Sequence, residues 1–367
     1  MGTPVEFEVD GSVGDVTPQS KALHHLSLAE REAAQIPGIS SDVPLKEINK
    51  VGIIGAGTMG GGIAMNFANI GVDTVLIETK QDALERGLGI IRQNYAGAVA
   101  KGRLDQEAMD QRMNRLRGSV SYADLADCDM VIEAVFEDMA LKQQVFGKLG
   151  EVCCADTILA TNTSTLDVDV IAKASGRPGD VVGMHFFSPA NVMRLLEVVR
   201  GRETRPDVLA SVMSLARRIG KTAVVSGVCY GFIGNRMAEP YMRENEFLLM
   251  EGATPAQIDS AVEDPGRVGM AMGPCRMLDM AGIDVGAKTL IELGKSGGLP
   301  ADPSYRAVCQ ALYADGRFGQ KTGSGYYRYE GRRPLPEPIT AQRASALAAQ
   351  HGSPNGQTFL RAKLWSG

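Results

Sequence analysis

The chain has 367 residues, 44% of them hydrophobic and 22% charged, with a formal net charge of -5. That length exceeds what one compact core usually holds, and the composition is that of globular domains, so two domains with extensions are expected. The negative balance argues against a nucleic-acid or anionic-membrane binder, because nothing in it would release counterions from a phosphate surface.

The opening stretch MGTPVEFEVDGSVGDVT is acidic and has no basic start leading into an apolar run, so it does not read as a secretory signal; residues 1 to about 20 are expected to lack order. Residues 21–35 have helical composition, and Pro37, Gly38, Ser40, Ser41 and Pro44 mark a linker. Residues 51–54 form a short apolar run that meets glycines at once, as a buried parallel strand entering a tight turn does. A helix of small and apolar residues over 58–70 ends at Gly71, and 75–77 give a second strand. Helices are expected over 82–100, 105–117, 138–150 and 206–219, with strands at 129–132, 157–160, 181–184, 195–199 and 223–225. Strands alternating with helices imply an α/β fold, a doubly wound, Rossmann-like parallel sheet.

After Gly231 the pattern turns helical over 232–252, 255–263, 277–294 and 303–314, with no strand pattern between. The expected division is therefore 1–49 as extension and linker helix, 50–230 as a dinucleotide-binding domain, 231–330 as a smaller all-helical domain, and 331–367 as an irregular, proline-rich tail. No stretch approaches the length of a membrane span. The six cysteines (Cys128, Cys153, Cys154, Cys229, Cys275 and Cys309) include no C-x-x-C pair, so no metal site is expected. Adjacent Cys153 and Cys154 suit reduced thiols, hence a reducing compartment, the cytoplasm.

Residues 55–60, Gly55-Ala56-Gly57-Thr58-Met59-Gly60, spell G-x-G-x-x-G between an apolar strand and a helix. Gly55 permits the turn, Gly57 lets a pyrophosphate approach the backbone, and Gly60 lets the helix pack on the strand; the helix N-terminus at Thr58 and Met59 offers free N–H groups. Glu78, 18 positions past Gly60 at the end of the second strand, can accept hydrogen bonds from ribose hydroxyls and would repel a 2′-phosphate, which favours NAD over NADP.

Of four histidines, His24 and His25 lie in the extension and His351 in the tail, leaving His185 at the end of a core strand. Glu197 follows on the next strand, flanked by aliphatics, and a buried carboxylate there could fix the imidazole tautomer and raise its basicity. Two more polar stretches, around Asn162 and Ser164 and around Asn235, fall near the same cleft; each equally suits a helix cap.

These segments resemble the L-3-hydroxyacyl-CoA dehydrogenase family. The matching elements are KVGIIGAGTMGGGIA, VIEAVFEDMALK, ATNTSTLDV, GMHFFSPANVMRLLEVV, GFIGNRM, MGPCRMLDMAGIDV and GRFGQKTGSGYYRY, in order over residues 50–330. The likeness is greatest to the dehydrogenase module of bifunctional enoyl-CoA hydratase/3-hydroxyacyl-CoA dehydrogenases of fatty-acid β-oxidation, and AEREAAQIPGI looks like the helix that follows their hydratase domain. The resemblance implies an NAD-bound Rossmann domain, a helical domain and a fatty acyl-CoA substrate. It matches His185 and Glu197 to the family's catalytic pair, and Ser164 and Asn235 to the residues that hold the substrate's oxygens. It places Glu137, Lys142 and Asn162 along the cofactor cleft, and Glu78 where the family usually has Asp. It further implies a homodimer through the helical domain and, since no hydratase domain precedes residue 20, hydratase activity only from a separate partner.

Overall fold

The computed structural model describes residues 17–40, 42–295 and 297–352. It divides into two compact units between Phe232 and Ile233.

The first unit opens with α1 (Pro18–Ala33), capped by Thr17, whose side chain accepts from the Ser20 N–H, with proline in the first turn where its missing N–H leaves no bond unmade. The disorder expected for residues 1 to about 20 lies outside the described residues up to residue 16; residues 18–20 are the first turn of α1.

One sheet carries β1 (Lys50–Ile54), β2 (Asp73–Ile77), β3 (Leu116–Ser119), β4 (Met130–Glu133), β5 (Ile158–Thr161), β6 (Val181–Phe186), β7 (Leu195–Arg200) and β8 (Thr222–Gly227). Their spatial order is β3-β2-β1-β4-β5-β6-β7-β8. Helices α2 (Thr58–Asn69), α3 (Gln81–Ala100), α4 (Gln106–Asn114), α5 (Met139–Val152), α6 (Val168–Ala174) and α7 (Pro206–Arg218) supply the connections. β4, β5 and β6 are buried throughout, which is why they read as unbroken apolar runs. Chain order reverses between β1 and β4, so the ends of those strands form the crevice where such sheets bind ligands.

Two expectations for this unit need correction. Residues 116–117 are strand, not helix: α4 stops at Asn114 and β3 pairs with β2 as a half-exposed edge. Its residues, Leu-Arg-Gly-Ser, lack the apolar run that marks a buried strand. The sheet is also not wholly parallel, because β7 runs antiparallel to β6 and β8 follows β7. Only residues 187–194 join β6 to β7, too few for the crossover a parallel pair requires.

The second unit contains α8 (Gly234–Met250), α9 (Pro255–Glu263), α10 (Pro274–Ala281), α11 (Ile283–Lys295), α12 (Ala307–Ala314), a hairpin of β9 (Arg328–Glu330) and β10 (Arg333–Leu335), and α13 (Pro338–His351). The helix expected over 277–294 breaks at Gly282, whose φ of 99° no other residue adopts cheaply. The segment expected to be irregular from residue 331 is ordered as far as described: it completes the hairpin and forms α13, whose Ala344 enters the unit's core beside Leu312 and Tyr326. The prolines that suggested a tail instead flank the hairpin and start the helix, since Pro338 occupies its first turn. Asp279 on α10 pins the segment before the hairpin, accepting from the Tyr326 and Tyr327 N–H groups at 2.8 and 3.0 Å and from the Tyr329 hydroxyl at 3.0 Å. Burial pushes its carboxyl up to about 6.

Candidate active site

The glycine turn has the stereochemistry its spacing requires. Gly55 has φ 103° and donates to Ile77 O at 2.8 Å, and a Cβ on Gly60 would stand 1.8 Å from Gly55 O, so only glycine lets α2 approach β1 this closely. A Cβ on Gly57 would meet nothing within 4 Å: the space in front of the exposed start of α2, at Thr58 and Met59, is open. Glu78 reaches into this turn, accepting from the Ala56 N–H at 3.1 Å and the Thr79 N–H at 2.8 Å. An acid at the end of β2 and free N–H groups at the end of β1 fit a dinucleotide laid across the two strands.

On the other side of β1, Glu133 ends β4 as a fully buried carboxylate. Lys142 of α5, also fully buried, donates to it at 2.6 Å, the Thr161 hydroxyl at 2.7 Å and the Val135 N–H at 2.8 Å. Lys142 thus locks the turn after β4, and its ammonium lies 3.6 Å from Glu137. Glu137 gathers the end of β5: its Oε1 accepts from the Thr163 hydroxyl at 2.7 Å, the Ser164 N–H at 2.8 Å and the Ser164 hydroxyl at 3.0 Å. Burial would raise this carboxyl, but Lys142, Thr163 and Ser164 outweigh it and hold it below its ordinary value. Ser164 is therefore bound to Glu137 here. Asn162, just past β5, ties β4 to β6, its N–H donating to Glu133 O at 2.8 Å and its Oδ1 accepting from the Phe186 N–H at 2.9 Å.

That bond fixes the strand beside His185. In the antiparallel ladder His185 stands opposite Glu197, and its Nδ1 lies 2.6 Å from Glu197 Oε2. Glu197 is fully buried and His185 nearly so. An ionised carboxylate only accepts, so this pairing assigns the hydrogen to Nδ1 and leaves Nε2 outside the pair. Phe187 and Phe232 flank the imidazole, with ring centroids 4.4 and 5.7 Å away.

The 187–194 connection is held by two residues that sequence reading passed over. Asn66 Nδ2 donates to Gly62 O and Ala190 O at 3.1 and 3.0 Å, and Lys221 Nζ donates to Ala190 O and Met193 O at 2.6 and 2.8 Å. An asparagine in the buried stretch of a helix of small apolar residues was a legible signal, as was Glu133 closing an apolar strand. Asn235, in the first turn of α8, belongs to the second unit, whose geometry stands by itself. His24 and His25 lie on α1 and His351 ends α13. Among the described residues no group of three or more His, Cys, Asp or Glu could hold a metal ion, and no helix is long and apolar enough to cross a membrane.

Residues 50–229 match the family of 3-hydroxyacyl-CoA dehydrogenase NAD binding domains, and residues 231–329 match the corresponding C-terminal domain. The chain is 42% identical to the peroxisomal bifunctional enzyme of Danio rerio, over 91% of this chain and 48% of that protein, and 39% identical to that of Homo sapiens with the same coverage. It thus spans about half the length of these curated relatives. Among solved structures, the (S)-3-hydroxybutyryl-CoA dehydrogenase of Ralstonia eutropha is 33% identical with a TM-score of 0.71, covering 77% of this chain and all of its own. The dehydrogenase part of a multifunctional enzyme from C. elegans is 27% identical with a TM-score of 0.59, over 94% of this chain and 78% of its own.

Proposed function

The chain belongs to the 3-hydroxyacyl-CoA dehydrogenase family, and from that premise we propose that it oxidises the 3-hydroxyl of a fatty acyl-CoA thioester, with NAD, in fatty-acid β-oxidation. The observation that carries this reading is the buried His185–Glu197 pair, on the sheet whose glycine turn and Glu78 fit a dinucleotide.

NAD held by residues 55–60 and Glu78 supplies the hydride acceptor. Nε2 of His185 takes the proton of the substrate hydroxyl. Glu197 keeps the ring in the Nδ1–H tautomer and stabilises the imidazolium once it forms. Ser164 leaves Glu137 to hold a substrate oxygen, which aligns the reacting group before transfer, and Asn235, in the first turn of α8, has the same capacity within its own unit. Glu137, Lys142 and Asn162 brace the cofactor side. In this division residues 50–230 bind the cofactor, and 231–330 serve the substrate and join two copies into a homodimer. An enoyl-CoA hydratase activity supplies the substrate. All six cysteines are free, which supports a reducing compartment, and we place the chain in the cytoplasm; the relatives above carry a peroxisomal name.

The test is NADH oxidation by the purified chain with acetoacetyl-CoA, with acetoacetate alongside. Turnover with the thioester and little with the free acid supports the reading. The reverse preference makes this a dehydrogenase of small hydroxy acids, and no turnover with either makes it a NAD-binding protein of another kind.

A further inference from the structure

One connection, residues 187–194, joins the strand of His185 to the strand of Glu197. In the β6–β7 ladder a single further pair, Phe186 with Leu196, separates His185 and Glu197 from that connection. The two side chains thus meet near the open end of the ladder, where the connection sets register and approach. Inside it the Val192 and Met193 N–H groups both donate to Pro189 O at 2.9 Å, a single turn. Further anchors come from outside.

Lys221, the residue before β8, is buried and donates to Ala190 O at 2.6 Å and to Met193 O at 2.8 Å. Burial holds its ammonium below the ordinary value, and among the described residues no carboxylate offsets that cost. Apolar packing would tie down a loop more cheaply, so stability alone does not call for a lysine here. Asn66 of α2 donates to the same Ala190 O at 3.0 Å and to Gly62 O at 3.1 Å. A Cβ on Gly62 would stand 3.1 Å from Ala190 Cβ and 3.3 Å from Asn191 N, so the connection rests directly on α2. That helix starts at the glycine turn. The element that fits the pyrophosphate therefore also grips the segment between His185 and Glu197.

We infer that Asn66 and Lys221 are positioning residues for the reaction: by pinning the Ala190 and Met193 carbonyls they hold the ends of β6 and β7 at the separation that sets Glu197 on His185 Nδ1. They act through the backbone of the connection, and the inference rests on the reading of His185 as the base.

The probe is the proton on His185 Nδ1. Held in a 2.6 Å bond to a carboxylate, it gives a strongly downfield ¹H NMR signal, identified by its loss in His185→Gln. Asn66→Ala and Lys221→Met should each shift or broaden that signal and lower kcat with acetoacetyl-CoA by ~10–100-fold, the scale on which small misplacements act, with the NADH Kd unchanged. A purely structural role would lower the melting temperature and leave the signal in place. Wild-type values of both signal and kcat, or a change in one without the other, overturn the inference. Asn66→Ala keeps both Lys221 bonds and decides the matter if Lys221→Met does not fold. A wild-type chain that shows the signal but turns over no thioester overturns the dehydrogenase reading instead, and the signal alone then tests the clamp. Absence of the signal from wild type overturns the clamp together with the pair it serves.

Discussion

Glu197 faces His185 directly across the β6–β7 ladder, 2.6 Å from its Nδ1, and both side chains are buried. The antiparallel turn of β7 creates this relationship, because residues opposite each other in a ladder project from the same face. His185→Gln should therefore lower kcat by ~10²–10⁴-fold, the usual loss for a positioned base, with the NADH Kd unchanged. A variant within a few-fold of wild type would remove His185 from the role of base.

Glu78 offers a second, independent handle. Its carboxylate sits against the Ala56 N–H, where a 2′-phosphate would meet like charge. Glu78→Gln should raise the NADH Kd and reduce the preference for NADH over NADPH, read as the ratio of their kcat/KM values. An unchanged ratio would mean that the acid does not select the cofactor.

Much of this was legible in the sequence, for physical reasons. The glycine turn announces itself because backbone crowding at Gly55 and Gly60 tolerates one residue type, and buried parallel strands must be apolar on both faces. β3 was not legible, because a half-exposed edge strand needs no apolar run. The direction of β7 was hidden because direction is set by the connection, which carries no periodicity. α13 was missed because the prolines before it signal a turn and a helix start equally well. The bond between Ser164 and Glu137 joins positions 27 residues apart, and spacing alone reveals no such pair.

Two glycines of one motif, Gly57 and Gly60, make a contrast that separates folding from binding. Gly60→Ala drives a methyl to 1.8 Å from Gly55 O, so α2 must lift from β1; a loss of about 1–3 kcal/mol in urea unfolding is expected. Gly57→Ala meets no protein atom within 4 Å and has an ordinary φ of −72°, so stability should hold while the NADH Kd rises. Equal effects of the two substitutions on stability would contradict this account of the turn.

Lys142 and Glu133 form an ion pair with both side chains wholly out of solvent. Removing the ammonium strands a carboxylate in the core, a change that typically costs about 3–5 kcal/mol. Lys142→Met should lose an amount in that range by chemical denaturation, and adding Glu133→Gln should recover part of it, because the charge left behind is then gone. A single variant as stable as wild type would show that water reaches Glu133.

Asp279 gives the second unit a pH dependence of definite sign. Burial raises its carboxyl from the ordinary 3.8 to about 6, so the folded state favours the protonated form more than the unfolded chain does. Its contribution is complete below the unfolded value and is lost as pH rises through about 6. The shift corresponds to about 2–3 kcal/mol between those limits. Asp279→Asn removes the titration, although its amide also faces the donors from Tyr327 and puts the variant below wild type throughout. The informative quantity is thus the stability difference between wild type and variant, followed by denaturant unfolding from pH 7.5 down to pH 4.5. That difference should widen in favour of wild type as the pH falls; a constant or narrowing gap would mean that the Tyr326, Tyr327 and Tyr329 donors hold the carboxylate charged, and that burial does not govern this site.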